Sequence, residues 1–396
     1  MVLTHAPRKG ADMTTPVSVS PAVLSWAVDR SGRDEVAVAK RFPHFPEWLS
    51  GERAPSLSEL AKFADFVHAP FGTFFLPAPP DERLPIPDFR TMADTGVSTR
   101  PSADLLDTIY ACQLRQSWYR DYALREELGQ LAFVGSTPAG SEVTSAAGGI
   151  AQQLGFDMAA RAALHTWEEA RRFLIRACED LGVLVCVTSV VGADTTRLLN
   201  PEEFRGFALC DDTAPLLFVN AADTQAAQIF TLIHELAHIW AGDSGLSDAR
   251  PWSITGHDKE RWANRVAAEV LVPTDVLRST SSGIIDDAEL RRLAQLFKVS
   301  TLVVLTSLHD VGRIGWDEYR SLYQAERDRL FQILAARPKT GGDAYKTMPF
   351  RVGGRQFVRA VVSDALAGDT LYRDAYALLG VASHSTFETL AKKVMA

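Results

Sequence analysis

The 396-residue sequence has only four cysteines, Cys112, Cys178, Cys186 and Cys210, and no CxxC pair. That spacing excludes a cysteine zinc ribbon and a dense disulfide framework, and it fits a reducing cytoplasm. Long apolar runs are missing too. None approaches the ~20 residues needed to span a bilayer, so no membrane association is expected. The first 19 residues carry Arg8 and Lys9 but no apolar segment behind them, unlike a secretory signal. Nor is there an excess of positive charge. Lys and Arg number 41 against 49 Asp and Glu, a net −8, which argues against a generic nucleic-acid coat protein while leaving room for one basic face. What remains is ordinary globular material: 46% hydrophobic and 23% charged residues rule out wholesale disorder or collagen-like structure. At ~150 residues per domain, the length implies two or three domains.

Punctuation along the chain suggests five segments. Residues 1–19, rich in Thr, Ser, Pro and Ala, read as a disordered tail. Residues 20–76 read as a small helical unit. Its first helix runs from Pro21 to Arg30 with Leu24, Trp26 and Ala27 inward, and stops at Ser31-Gly32. Asp34 caps the next helix, and Ser56 or Ser58 the one carrying Leu57, Leu60, Phe63, Ala64 and Val67. Five prolines between Leu76 and Asp88 mark residues 77–99 as a stiff connector. Residues 100–330 form the main domain. Helical patterns at Ser102–Leu128, Glu142–Leu154 and Thr166–Asp180 give way to a β-branched run at Val183–Val190. Phe207–Cys210 and Leu216–Val219 then flank a hairpin turn, and an apolar helix covers Thr224–Ala241. The order predicts a mostly helical α+β fold whose small sheet leans on the 224–241 helix. Leu290–Phe297, Val299-Ser300 and Thr301–Val311 read as helix, tight turn, helix. Residues 331–396 form a C-terminal helical region, with a glycine-rich linker or exposed loop at 340–354 and two last helices near 355–366 and 371–379.

The sharpest local feature is His234-Glu235-Leu236-Ala237-His238, set inside the 224–241 helix. Positions i and i+4 project from one helix face, so both imidazoles can reach a single ion. Glu235, displaced around the helix, is placed to activate a water rather than to ligate. Two imidazoles and a carboxylate suit zinc, with a fourth position left open in a catalytic site. The metzincin pattern needs glycine at 241 and histidine at 244, where this chain has Ala241 and Ser244. His257 and Glu260 are the remaining candidates for third ligand. Glu260 opens a helical stretch with Trp262, Val266, Ala263, Ala267 and Val270 on its inner faces. A carboxylate there, with Asn264 one turn later, is the geometry expected of a His-His-Glu site, Asn264 hydrogen-bonding a ligand histidine. His257, in the loop before it, can ligate, help stabilise an oxyanion or stay solvated. Asn220, at the end of the strand before the histidine helix, is expected near the cleft, with residues 216–220 pairing edge-on with an extended substrate.

Taken together, the histidine helix and Glu260-Arg-Trp-Ala-Asn264-Arg-Val-Ala-Ala-Glu-Val-Leu-Val-Pro273 resemble the ImmA/IrrE family of metallo-endopeptidases. Val266 stands where that family has Phe. The resemblance extends through Phe204-Arg-Gly-Phe207 and Val219-Asn220, and covers roughly residues 100–330. It implies a zincin-like, gluzincin-type domain with Zn2+ held by His234, His238 and Glu260, and Glu235 as general base. It also implies a regulatory protein as substrate, such as an Xre-type repressor cleaved under stress or on induction of a mobile element. Such chains also resemble proteins encoded beside toxins. The alternative is therefore an antitoxin or transcriptional regulator that binds a toxin or an operator, with zinc structural or vestigial.

The N-terminal unit resembles an Xre-like helix-turn-helix through Trp48-Leu-Ser-Gly51-Glu-Arg-Ala-Pro55. Pro43 and Pro46 fall where the recognition helix should lie, and residues 20–70 carry six Lys and Arg against seven Asp and Glu. That is a poor electrostatic footprint for DNA, and a protein-docking or folding role is expected ahead of DNA binding. Residues 289–359, by contrast, hold 13 Lys and Arg against seven Asp and Glu, a surface suited to an acidic partner or simply a solvated helical face.

Overall fold

The computed structural model describes residues 15–89, 101–247, 258–335 and 351–395. They divide into two compact units, one of residues up to 84 plus 101–107, the other of residues 85–89 and 108 onward.

In the first unit, α1 (Pro21–Ser31) ends on Gly32 in the left-handed conformation, and Asp34 caps α2 (Glu35–Arg41) through the Val36 amide. Pro46 lies in the first turn of α3 (Phe45–Ser50), where its missing N–H costs nothing, so the helix forms but has only six residues. Ser56 and Glu59 make a reciprocal capping box at α4 (Leu57–Phe66). Leu24, Trp26, Phe45, Trp48, Leu60, Phe63 and Phe74 fill the core. The tail expectation needs correcting at its end. Pro16 bridges Ser56, and the Val17 amide donates to Pro55 O at 2.8 Å, so residues 15–19 are built into this unit. Residues 1–14 lie outside the described residues.

In the second unit a four-stranded sheet is the platform. Its strands are β1 (Leu184–Thr188), β4 (Gly206–Leu209), β5 (Leu216–Asn220) and β6 (Gly245–Ser247), in the order β1-β5-β4-β6. β1 runs parallel to β5; β4 is antiparallel to both β5 and β6. Strands β2 (Val190–Val191) and β3 (Asp194–Leu198) form a separate ribbon. The sheet strands are buried throughout, which is why they read as continuous apolar runs rather than alternating ones. α5 (Ala103–Arg125) holds the turn between β4 and β5 through Gln116, whose amide donates to Leu209 O and Ala214 O at 2.8 and 2.9 Å.

Four helices pack the catalytic candidates into the core. α6 (Val143–Leu154), α8 (Trp167–Asp180) and α9 (Gln225–Ala241) carry side-chain N-caps at Glu142, Thr166 and Thr224. α10 (Asp258–Leu271) lies against both α9 and α6. Its C-terminus is held by Arg161 of α7 (Met158–Ala162), a side chain 1% exposed that donates to Val270 O and Leu271 O as well as to Phe156 O at 3.1 Å. A cation at a helix C-terminus complements the dipole and satisfies carbonyls that have no partner within the helix. α11 (Thr274–Thr280), α12 (Asp287–Phe297), α13 (Thr301–Asp310) and α14 (Trp316–Ala335) complete this side; Glu269 accepts from Thr274 at the start of α11, a structural task.

At the C-terminal end the chain forms three helices, not two: α15 (Gly354–Ala367), α16 (Tyr372–Leu379) and α17 (His384–Met395). Gly353 and Gly354 are buried rather than part of an exposed loop. Gly353 bridges Val185 on β1, and a Cβ at Gly354 would sit 2.3 Å from Glu179 Oε1, whose carboxylate accepts from the Arg355 amide at the start of α15. No helix of the described residues is long and apolar enough to cross a membrane.

Replacing Arg161 with Met should leave three buried carbonyls unsatisfied and cost about 3 kcal/mol of stability. Denaturant unfolding measures this; a loss within error of zero would show that α10 does not depend on the anchor.

Candidate metal centre

α9 buries almost its whole length because it is apolar on every face except the one that carries the histidines; residues 228–240 are all buried. On that face His234 and His238 stand one turn apart, 0% and 1% exposed. α10 supplies Glu260 from its first turn, 4% exposed. The three converge. His234 Nε2 and His238 Nε2 are 3.1 Å apart, Glu260 Oε2 is 3.3 Å from the first and Glu260 Oε1 2.9 Å from the second. Around a tetrahedral ion with bonds near 2.0–2.1 Å, ligand atoms lie roughly 3.3 Å apart, so these separations fit zinc. Among the described residues this is the one cluster of three or more His, Cys, Asp or Glu side chains able to meet at an ion. Lys259 pairs with Asp243, just past the C-terminus of α9, and so ties the two helices together beside the ligands.

The electrostatics carry the same implication. Burial alone would raise the pKa of Glu260, but the two adjacent imidazoles outweigh it and hold the group at about 2. For His238, burial disfavours the charged ring and lowers its pKa against the pull of Glu260. Glu235, 0% exposed, is pushed well above the ordinary carboxylate range by burial and by the negative charge of Glu260, with the Ser247 hydroxyl opposing the shift. Two neighbouring buried carboxylates cannot both ionise cheaply, and a divalent cation held by His234, His238 and Glu260 would supply the offsetting charge. The Nδ1 atoms of both histidines and Glu235 Oε1 are buried without a hydrogen-bond partner among the described residues.

Two residues that pattern reading missed shape the place of Glu235. The Ser247 hydroxyl, on β6, donates to Glu235 Oε2 at 3.2 Å. Gly206, on β4, faces the same carboxylate: a Cβ there would lie 2.6 Å from Thr231 Cγ2, 2.7 Å from Phe218 O and 2.8 Å from Glu235 Oε1. The Arg205-Gly206-Phe207 run was a visible signal for the glycine, but nothing local marked Ser247, because β6 has only three residues. A third, Phe89, stacks on His238 with ring centroids 5.8 Å apart and planes at 18°.

Other expectations change. β5 lies between β1 and β4 and has no free edge, so residues 216–220 cannot pair with a substrate. Asn220 is fully buried and occupied in holding the turn: its amide donates to Phe204 O at 3.1 Å and its carbonyl accepts from Ala222 N at 3.0 Å. Asn264 sits one turn from Glu260 as expected, but neither of its amide atoms has a hydrogen-bond partner among the described residues, so it bonds neither imidazole. His257 lies outside the described residues.

Comparison with known proteins agrees with this geometry. Residues 178–309, 132 of 396 and therefore one third of the chain, match the family model of the IrrE N-terminal-like domain, Peptidase M78. The match runs from the end of α8 through α13 and includes all three ligand candidates and Glu235. It supports a metallopeptidase-like domain of the ImmA/IrrE kind in that segment. Residues 354–393, helices α15 to α17, match a domain of unknown function, DUF8813. No curated protein and no solved structure matches the chain.

Gly206→Ala should push the backbone of β4 away from α9, cost roughly 1–3 kcal/mol and displace Glu235. The check is thermal unfolding together with zinc content; stability equal to the parent chain would mean that β4 yields freely.

Proposed function

We propose that this chain is a zinc-dependent endopeptidase that hydrolyses a peptide bond in an extended segment of a regulatory protein. The observation that carries the reading is the convergence of His234, His238 and Glu260 at 2.9–3.3 Å with Glu235 buried beside them. His234, His238 and Glu260 would hold the ion. Bound zinc supplies Lewis acidity, polarising the scissile carbonyl and making an adjacent water easier to deprotonate.

The remaining chemistry belongs to the chain's own groups. Glu235, on the helix turn that carries both imidazoles, accepts the proton from the attacking water and delivers it to the leaving amine. Ser247 holds Oε2 of that carboxylate and leaves Oε1 without a hydrogen-bond partner among the described residues. Gly206 lets the carboxylate rest against the sheet without a side chain in the way. Glu235 is fully buried, so the carboxylate stays basic once a cation balances Glu260.

The first unit we assign to docking of a protein partner. Its six-residue α3 and its slight excess of acidic residues support protein recognition over a DNA groove.

Glu235→Gln should keep fold and zinc and lower the cleavage rate of unfolded casein by about 10²–10⁴-fold. Activity in this variant equal to that of the parent chain, with metal content also equal, would remove Glu235 from the mechanism.

A further inference from the structure

β6 is the outer strand of the sheet on the side of the metal centre, and its last residue, Ser247, touches Glu235. It pairs with β4 through Gly245 and Ser247, so Leu246 presents its own N–H and C=O outward. Those are the groups that an extended peptide would use to add itself to the sheet. Both are taken. The Leu246 amide donates to Pro87 O at 2.8 Å, and the Phe89 amide donates to Leu246 O at 2.9 Å, with Asp88 opposite Leu246 in parallel register.

The side chain that follows is equally committed. Phe89 stacks on His238, and its ring lies so close over Gly245 that a Cβ at that glycine would sit 2.1 Å from Phe89 Cε2. Lys259, next to the ligand Glu260, places its ammonium 6.0 Å from the ring centroid. Glycine at 245 is therefore matched to this ring. Residue 87 is a proline and gives its carbonyl to β6. Ile86, beside it, is 7% exposed, so the segment is anchored on both sides of its sheet contact.

We infer that residues 85–89 are an autoinhibitory strap that occupies the extended-substrate position along β6 and covers the metal centre from His238 outward. The inference rests on the peptidase reading above. Connectivity supplies the means of release. The chain up to residue 84 and residues 101–107 both belong to the first compact unit, so the strap leaves that unit and its chain returns to it. A protein partner engaging the first unit can thus pull on both ends of the strap, and loss of two backbone hydrogen bonds and one aromatic stack frees Leu246. Covering an edge against aggregation would require the two hydrogen bonds but not an aromatic ring against a ligand histidine.

The test uses the full-length zinc-loaded chain and its Phe89→Ala and Phe89→Tyr variants, compared by amide exchange at Leu246, zinc transfer to a pyridylazo-resorcinol chelator, and cleavage of unfolded casein. Phe89→Ala should raise all three rates about ten-fold, with Phe89→Tyr close to the parent chain and thermal midpoints of all three alike. Leu246 exchange and zinc transfer unchanged in Phe89→Ala would overturn the strap. So would an exposed Leu246 amide with no gain in zinc transfer or cleavage, which leaves the peptidase reading intact. A parent chain that binds no zinc defeats the peptidase reading instead, and Leu246 exchange then decides whether Phe89 latches the segment to β6.

Discussion

Glu260 is a carboxylate on one buried helix held against two imidazoles on another, and the position of everything around it follows from that contact. Removing an ionised carboxylate from water costs several kcal/mol unless opposite charge is brought to it. Here the helices α9 and α10 bring two rings to within 3.3 Å, and the pKa of Glu260 falls to about 2 despite burial. A second carboxylate, Glu235, shares the same dry volume and is driven the other way. Opposed shifts in two neighbouring buried carboxylates mark a candidate functional site.

The supporting fold keeps this contact in register from several directions. Arg161 holds the far end of α10 by its carbonyls, while Lys259 and Asp243 join its start to the end of α9. Gly206 and Ser247 place Glu235 from the sheet side, one by being absent as a side chain and the other by a hydrogen bond. Ser247, which bonds Glu235, lies on the strand whose outer edge is paired with residues 87–89.

Much of this was legible in the sequence, for reasons that differ by residue. The histidines announced themselves because a helix makes i and i+4 neighbours, and Glu260 because an amphipathic pattern put it at the start of a second helix. Caps such as Asp34 and Ser56 were readable from local chemistry. The sheet order was not: β5 looked like a substrate strand because it precedes the histidine helix, yet strand adjacency depends on distant pairing with β1. Asn220 went to a turn, and Asn264 makes none of the hydrogen bonds assigned to it. Residues 77–99 read as a stiff connector, yet 85–89 are built into the second unit against β6 and 90–99 lie outside the described residues; no local signal says that Phe89 will meet a histidine 149 positions later.

Bound zinc per chain, measured by elemental analysis on the folded wild type and on Glu260→Ala side by side, tests the His-His-Glu centre most directly. The account predicts about one zinc per chain in the wild type and little in the variant, since two imidazoles alone hold the ion weakly. Zinc content unchanged by Glu260→Ala would contradict it, and so would a folded wild type that retains none.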